Sequence, residues 1–178
     1  MATTPTRPMT FAEFEKLPGD GRRYELRQGE LVEMPPPKHG HKLIERRLRR
    51  LIENAGGQSG VVETEVGFRI VEEDSYYIGD VVYTGTERWD QIPADGYMVD
   101  SPELVIEVVS PSNTEREMRD KRQACLTHGA REFWIVDPKH REVEVATPDG
   151  HAITYRSGQQ VPLFFSPGAT LTVDSIFE

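Results

Sequence analysis

The chain has 178 residues, 37% of them hydrophobic and 29% charged, enough apolar material for the core of one ordinary domain. Its formal net charge of −9 argues against broad adhesion to polyanions, because nucleic-acid affinity leans on phosphate neutralisation. No apolar run approaches the ~18 residues of a membrane span and no secretory stretch opens the sequence, while the single Cys125 has no disulfide or zinc partner, so a cytoplasmic protein with Cys125 as a small buried hydrophobe is expected.

Residues 1–9, rich in Thr and Pro, read as a flexible leader, and 10–178 as one domain. Thr10 with Glu13 three residues on marks a helix start, carrying Phe11, Phe14 and Leu17 to a stop at Pro18 and Gly19. Residues 24–26 and 30–34, separated by Gln28 and Gly29, alternate as a β-hairpin, which Pro35, Pro36 and Pro37 end. Over 41–54, Ile44, Leu48, Leu51 and Ile52 recur at helical spacing beneath Lys42, Arg46, Arg49 and Arg50, and Gly56 and Gly57 close the helix.

Two-residue alternation over 61–70 predicts a half-buried strand, followed by an acidic turn at 72–74 and a strand over 76–83. After a polar excursion through Trp89, Pro93 and Gly96, the run 102–109 predicts a central strand covered on both faces. Thr114 and Glu117 form a second capping signature for a helix that reaches Gly129. A buried strand over 133–136 and an antiparallel ribbon, 142–146 with 151–155, follow, and Leu171, Val173, Ile176 and Phe177 pack back on the domain. This order predicts an α/β fold, α+β by some schemes, with a mixed sheet flanked by helices and an N-terminal β-hairpin.

Charge is placed unevenly. Residues 1–58 hold 11 Lys+Arg against 8 Asp+Glu, a net of +3, whereas residues 59–113 hold 2 against 12, a net of −10. Within the acidic stretch Glu107 interrupts an apolar strand, and Asp80 begins another. A buried carboxylate is costly unless paired, protonated or metal-bound, and two brought together repel until a cation relieves them. Hard oxygen ligands favour Mg²⁺ or Mn²⁺.

Other readings compete with this one. Glu107 has a salt bridge to Arg119, Lys121 or Arg122 as its alternative, and Asp80 an ordinary strand-end role. Lys121, three and four residues from Met118 and Cys125, either points toward the sheet or snorkels to water. Glu30 is a further candidate carboxylate in a hairpin that also holds Glu25 and Glu33. His39 and His41 read first as solvated loop residues, with phosphate contact or proton donation as the alternative. Arg46, Arg49 and Arg50 read first as a solvated helix face, with nucleic-acid contact as the alternative.

Six stretches in order carry a resemblance to a known family: 24–32; Lys38, His39, Gly40 and His41; 79–82; 102–112; Asp120 and Lys121; and 129–138. Together they resemble the Uma2 family (DUF820) of endonucleases, within the PD-(D/E)XK superfamily, from Thr10 to about Pro167. The resemblance implies a restriction-endonuclease-like core and hydrolysis of phosphodiester bonds in nucleic acid, more naturally DNA. It implies Asp80, Glu107 and the backbone carbonyl of Val108 as ligands of Mg²⁺ or Mn²⁺, with Glu30 as an added ligand.

Two positions depart from the superfamily pattern. Gly79 replaces the proline, which performs no chemistry, and Val109 replaces the lysine of E-x-K. Lys121 matches a helical position to which that lysine migrates, and the resemblance makes it the group that positions water or stabilises the transition state. A homodimer is the expected means of cutting both strands of a duplex. The rival readings are a catalytically silent nuclease-fold protein for nucleic-acid binding or assembly, which a Glu107 to Lys121 ion pair would favour, and a glycosidase carboxylate pair.

Overall fold

The computed structural model describes residues 7–56 and 60–178. Residues 1–6 of the expected leader, and Gly57 of the expected helix stop, lie outside the described residues. The first elements are α1 (Phe11–Phe14), β1 (Arg23–Arg27), β2 (Glu30–Met34), α2 (His39–Gly56), β3 (Gly60–Ile70) and β4 (Ser75–Gly85). The middle of the chain forms α3 (Thr86–Asp90), β5 (Met98–Val99), β6 (Leu104–Val108), α4 (Glu115–Thr127) and β7 (Glu132–Asp137). The remainder forms β8 (Glu142–Ala146), β9 (Ala152–Tyr155), β10 (Gln160–Pro162), β11 (Thr170–Thr172) and α5 (Val173–Phe177).

Nine strands form one mixed sheet in the order β2-β1-β4-β6-β7-β8-β9, with β3 also on β4 and β5 beside β3. β6 and β7 run parallel, which requires the crossover that α4 supplies. All five residues of β6 are buried, as the apolar run required. One cluster packs Ile44, Leu48 and Ile52 of α2 against Val81, Ile106 and Val136. Another packs Ala124 and Cys125 of α4 against Val105 and Phe133. Cys125 is fully buried, and burial pushes its thiol up to about 12.

Both predicted capping boxes form, Thr10 with Glu13 and Thr114 with Glu117. The α2 helix begins at His39, two residues before the periodicity starts, because Lys42 N–H already bonds the Lys38 carbonyl at 3.1 Å. His39 and His41 are therefore helical rather than loop residues. The α3 helix, β5 and the β10–β11 pair have no sequence expectation behind them, being too short for any hydrophobic period to register. No helix among the described residues is long and apolar enough to cross a membrane.

Candidate active site

Strand register brings the two carboxylates together. Val81 pairs with Ile106 in the antiparallel β4–β6 ladder, so Asp80 and Glu107 stand one step further along as cross-strand neighbours. Asp80 Oδ2 accepts the Val108 N–H at 2.8 Å, which ties the side chain to β6. Opposite Asp80, Glu65 adopts φ 56°, and the β3–β4 bridges pass from Thr64–Val81 to Val66–Gly79 without it. Gly79 suits its place for a steric reason, since an added Cβ would lie 2.6 Å from Val82 Cγ1.

The α2 helix adds two groups. Residues four apart share a helix face, and His41 Nε2 lies 3.0 Å from Glu45 Oε1 and 3.2 Å from Asp80 Oδ2. Leu48 and Ile52 continue that face into the core and leave Glu45 only 1% exposed. Glu45 Oε2 accepts from Lys42 at 2.7 Å, and Lys42 also reaches Glu65 at 2.6 Å.

On the α4 side, the buried Lys121 ammonium lies 2.9 Å from Glu107 Oε1 and 2.9 Å from Glu25 Oε1, and donates to the Ile78 carbonyl at 2.7 Å. Glu25, itself fully buried, also accepts the Ile78 N–H at 2.9 Å and pairs with Arg27 at 2.7 Å. Arg27 continues to Glu117, in the capping box of α4, at 2.8 Å.

These neighbours set the protonation states. Burial pushes the Glu107 carboxyl up, Asp80 and Glu25 add to the rise, and Lys121 offsets only part of it, leaving a value of about 8. Burial alone would also raise Asp80, but the His41 hydrogen bond and charge, Lys121 and the Val108 N–H hold it below the ordinary carboxylate range. Burial would lower His41, yet Asp80 and Glu45 overcome this and raise it to about 10. Glu25 stays low because Lys121 and Arg27 outweigh its desolvation.

The residues present fit a divalent cation. Donor atoms of His41, Glu45 and Asp80 lie within 4.8 Å of one another. Glu45 Oε1 and Glu107 Oε1 are buried, and their contacts are the ion pairs with His41 and Lys121, so each keeps acceptor capacity that suits a cation. Asp80, Glu107 and Val108 line a cavity of about 670 Å³, whose walls include Pro35, Pro36 and Pro37 on one side and Ser110 to Asn113 on the other.

Of the residues singled out from sequence, Asp80, Glu107, Val108 and His41 therefore converge on one cavity, and Lys121 touches it through Glu107. Glu30 does not join them. It is exposed at the hairpin end, opposite Arg27 across the ladder, and the buried hairpin carboxylate is Glu25. His39 is exposed in the first turn of α2. Arg46 and Arg50 are exposed on the helix face away from Glu45, and Arg49 is held by Glu53 at 3.0 Å and Glu63 at 2.7 Å. These arginines border a different hollow.

Glu25 and Glu45 are the groups that sequence reading passed over. Glu45 had a legible signal, three and seven residues before the apolar Leu48 and Ile52 and four after His41. Glu25 had only its place beside Leu26 in a short strand. A second grouping, Asp137, His140 and Glu142, lies at the β7–β8 turn, where His140 Nδ1 and Asp137 Oδ2 are already partners at 2.7 Å.

The nine-stranded mixed sheet flanked by helices is the fold expected of the restriction-endonuclease-like class, and it holds carboxylates on adjacent strands with a lysine from the next helix against the second one. The model of the Uma2 family, described as "Putative restriction endonuclease", matches residues 11–178, and the chain belongs to that family. The crystal structure of "a putative nuclease belonging to DUF820" from Anabaena variabilis is similar, with a TM-score of 0.83 over 96% of this chain and 98% of that one. At 22% identity this is a likeness of fold. Comparison with curated proteins found no match.

Proposed function

We propose that the protein is a Mg²⁺- or Mn²⁺-dependent endonuclease that hydrolyses phosphodiester bonds in nucleic acid. The observation that carries this reading is the convergence of Asp80, Glu107 and His41 on one cavity, with donor atoms of His41, Glu45 and Asp80 within 4.8 Å of one another. Asp80, Glu107 and the Val108 carbonyl hold the cation in this reading, with His41 and Glu45 completing its shell from α2. Bound there, the cation supplies Lewis acidity toward the phosphate and lowers the pKa of a coordinated water.

The chain's own groups do the rest. His41 holds a proton shared between Asp80 and Glu45, which it would have to release for its nitrogen to serve as a ligand. Lys121 holds Glu107 in place and offsets the charge that builds near it during hydrolysis. The Val108 N–H keeps Asp80 turned to the cavity.

One observation favours the alternative, a catalytically silent nuclease-fold protein for nucleic-acid binding or assembly. The Lys121 ammonium is surrounded by Glu25, Glu107 and the Ile78 carbonyl, and its ion pair with Glu107 at 2.9 Å is the contact a purely structural lysine would make. Calorimetry with Mn²⁺ and Mg²⁺ on the wild type and on Glu107→Ala, with cleavage assays on the same samples, separates the two readings. Metal binding and cleavage lost together in the variant support the nuclease; wild-type protein that binds no metal even with nucleic acid present overturns it.

A further inference from the structure

Resting on the nuclease reading above, we propose that the cavity over Asp80 and Glu107 takes an unpaired nucleic-acid strand rather than a duplex. Charge at the cavity favours a single strand. The cationic side chains lining the cavity, among the described residues, are Arg23, Lys38 and His41. Arg23 is engaged by Glu65 at 2.6 Å, and His41 by Asp80 and Glu45. Lys38 alone of the three is exposed and carries no ion pair among the described residues. The remaining arginines of α2 turn away from the cavity.

A protein that grips duplex DNA through about 6–10 phosphates needs a row of such cations, and a chain of net charge −9 supplies no general attraction in their place. A cation at Asp80 and Glu107 together with Lys38 serves one or two phosphates, which is the demand of a single strand bent into a recess.

The cavity's shape favours it as well. A cavity of about 670 Å³ is of the size that encloses a small ligand. A stacked base pair enters such a recess only after unpairing, which costs a few kcal/mol that an already unpaired strand does not lose. The walls suit a base more than a backbone. Pro35, Pro36, Pro37 and Pro111 present rigid apolar faces. The Ser110–Asn113 wall is braced in advance, with Ser110 N–H donating to Asn113 Oδ1 at 2.8 Å and Ser110 Oγ at 2.8 Å from Ser112 Oγ.

Fluorescence anisotropy tests this on the full chain, with labelled oligonucleotides of one sequence as single-stranded DNA, single-stranded RNA and blunt duplex DNA. Ca²⁺ replaces Mg²⁺ so that binding is read without turnover. A single strand of either sugar is expected to bind at least ~10-fold tighter than the duplex, with log K falling against log salt at a slope of about −1, and Lys38→Ala is expected to flatten that slope by about 0.7. Duplex binding as tight as single-strand binding, a slope steeper than about −5, or no binding of any form overturns the proposal. Its failure is separable from that of the nuclease reading: strand binding without cleavage under Mn²⁺ keeps this inference and removes the nuclease, whereas preferential duplex cleavage does the reverse.

Discussion

Lys121 Nζ lies 2.9 Å from Glu25 Oε1, an ion pair between α4 and β1 closed across 96 positions of the chain with both side chains buried. Removing one member of such a pair leaves an uncompensated buried charge, whereas removing both does not. Lys121→Met is therefore expected to cost about 3–5 kcal/mol in urea titrations, and Glu25→Gln a similar order. The double variant is expected to recover part of the sum, with a coupling of about 0.5–3 kcal/mol. Strict additivity would mean that the contact contributes nothing and that Lys121 is held by Glu107 and the Ile78 carbonyl alone.

His41 links stability to pH with a definite sign. Its folded value of about 10 stands above the ordinary 6.5, so the native state binds the proton more tightly than the unfolded chain. The stabilisation is fully present below about pH 6.5 and drains away as pH rises through about 10. The gap in unfolding free energy between wild type and His41→Gln is expected to be widest near pH 6 and to close toward pH 10. A gap that widened with pH would show a neutral imidazole in the native state. Because the same nitrogen must shed its proton to bind metal, Mn²⁺ affinity is expected to rise with pH over the same interval, with proton release detectable in two buffers.

Ligand identity is open to a direct comparison. Asp80→Asn, Glu107→Gln and Glu45→Gln are each expected to weaken Mn²⁺ binding by at least ~10-fold, about 1.4 kcal/mol, in calorimetry. Glu30→Gln is expected to leave it unchanged, since that side chain is exposed at the end of β2. An imidazole ligand favours Mn²⁺ over the harder Mg²⁺, so His41→Ala is expected to narrow the preference between the two ions. Full Mn²⁺ affinity in Glu45→Gln would remove α2 from the shell and return the site to Asp80 and Glu107.

The parts of this centre that were legible in sequence are those whose residue types contradict their surroundings. Glu107 breaks an apolar run, Thr114 and Glu117 stand at the spacing of a capping box, and Lys121 lies beside the apolar stripe of its helix, so each announces an interaction from local pattern. Glu30 and Glu25 illustrate the limit. They sit in the same acidic hairpin, and only the pairing of Leu26 with Tyr76 of β4 decides that the neighbouring Glu25 is buried beside β4 and α4 while Glu30 stays exposed on the edge strand. His41 stood out in the sequence, but its pairing was illegible for a related reason: its partner Asp80 is 39 residues away on a strand whose approach to α2 depends on the whole sheet.

The Arg27 side chain tests how far the buried charges depend on the helix they face. It joins Glu25 on one side at 2.7 Å and Glu117 on the other at 2.8 Å, so it ties the start of α4 to β1. The Glu117 limb is partly exposed and, being screened, contributes about 0–1 kcal/mol. Thr114→Ala removes the cap itself, an exposed hydrogen bond of 3.2 Å from Glu117 N–H, and is expected to cost about 1 kcal/mol while leaving Mn²⁺ affinity unaltered. Arg27→Met acts on the buried limb. It strips Glu25 of one of its two cations, so Glu25 pulls harder on Lys121 and Glu107 loses part of its own hold on that ammonium. The expected result in urea and calorimetry is a larger loss of stability than Thr114→Ala together with a change in Mn²⁺ affinity. Equal losses from the two variants, with metal binding untouched, would mean that α4 is positioned by its capping box alone and that the charge chain from Arg27 to Glu107 transmits nothing to the centre.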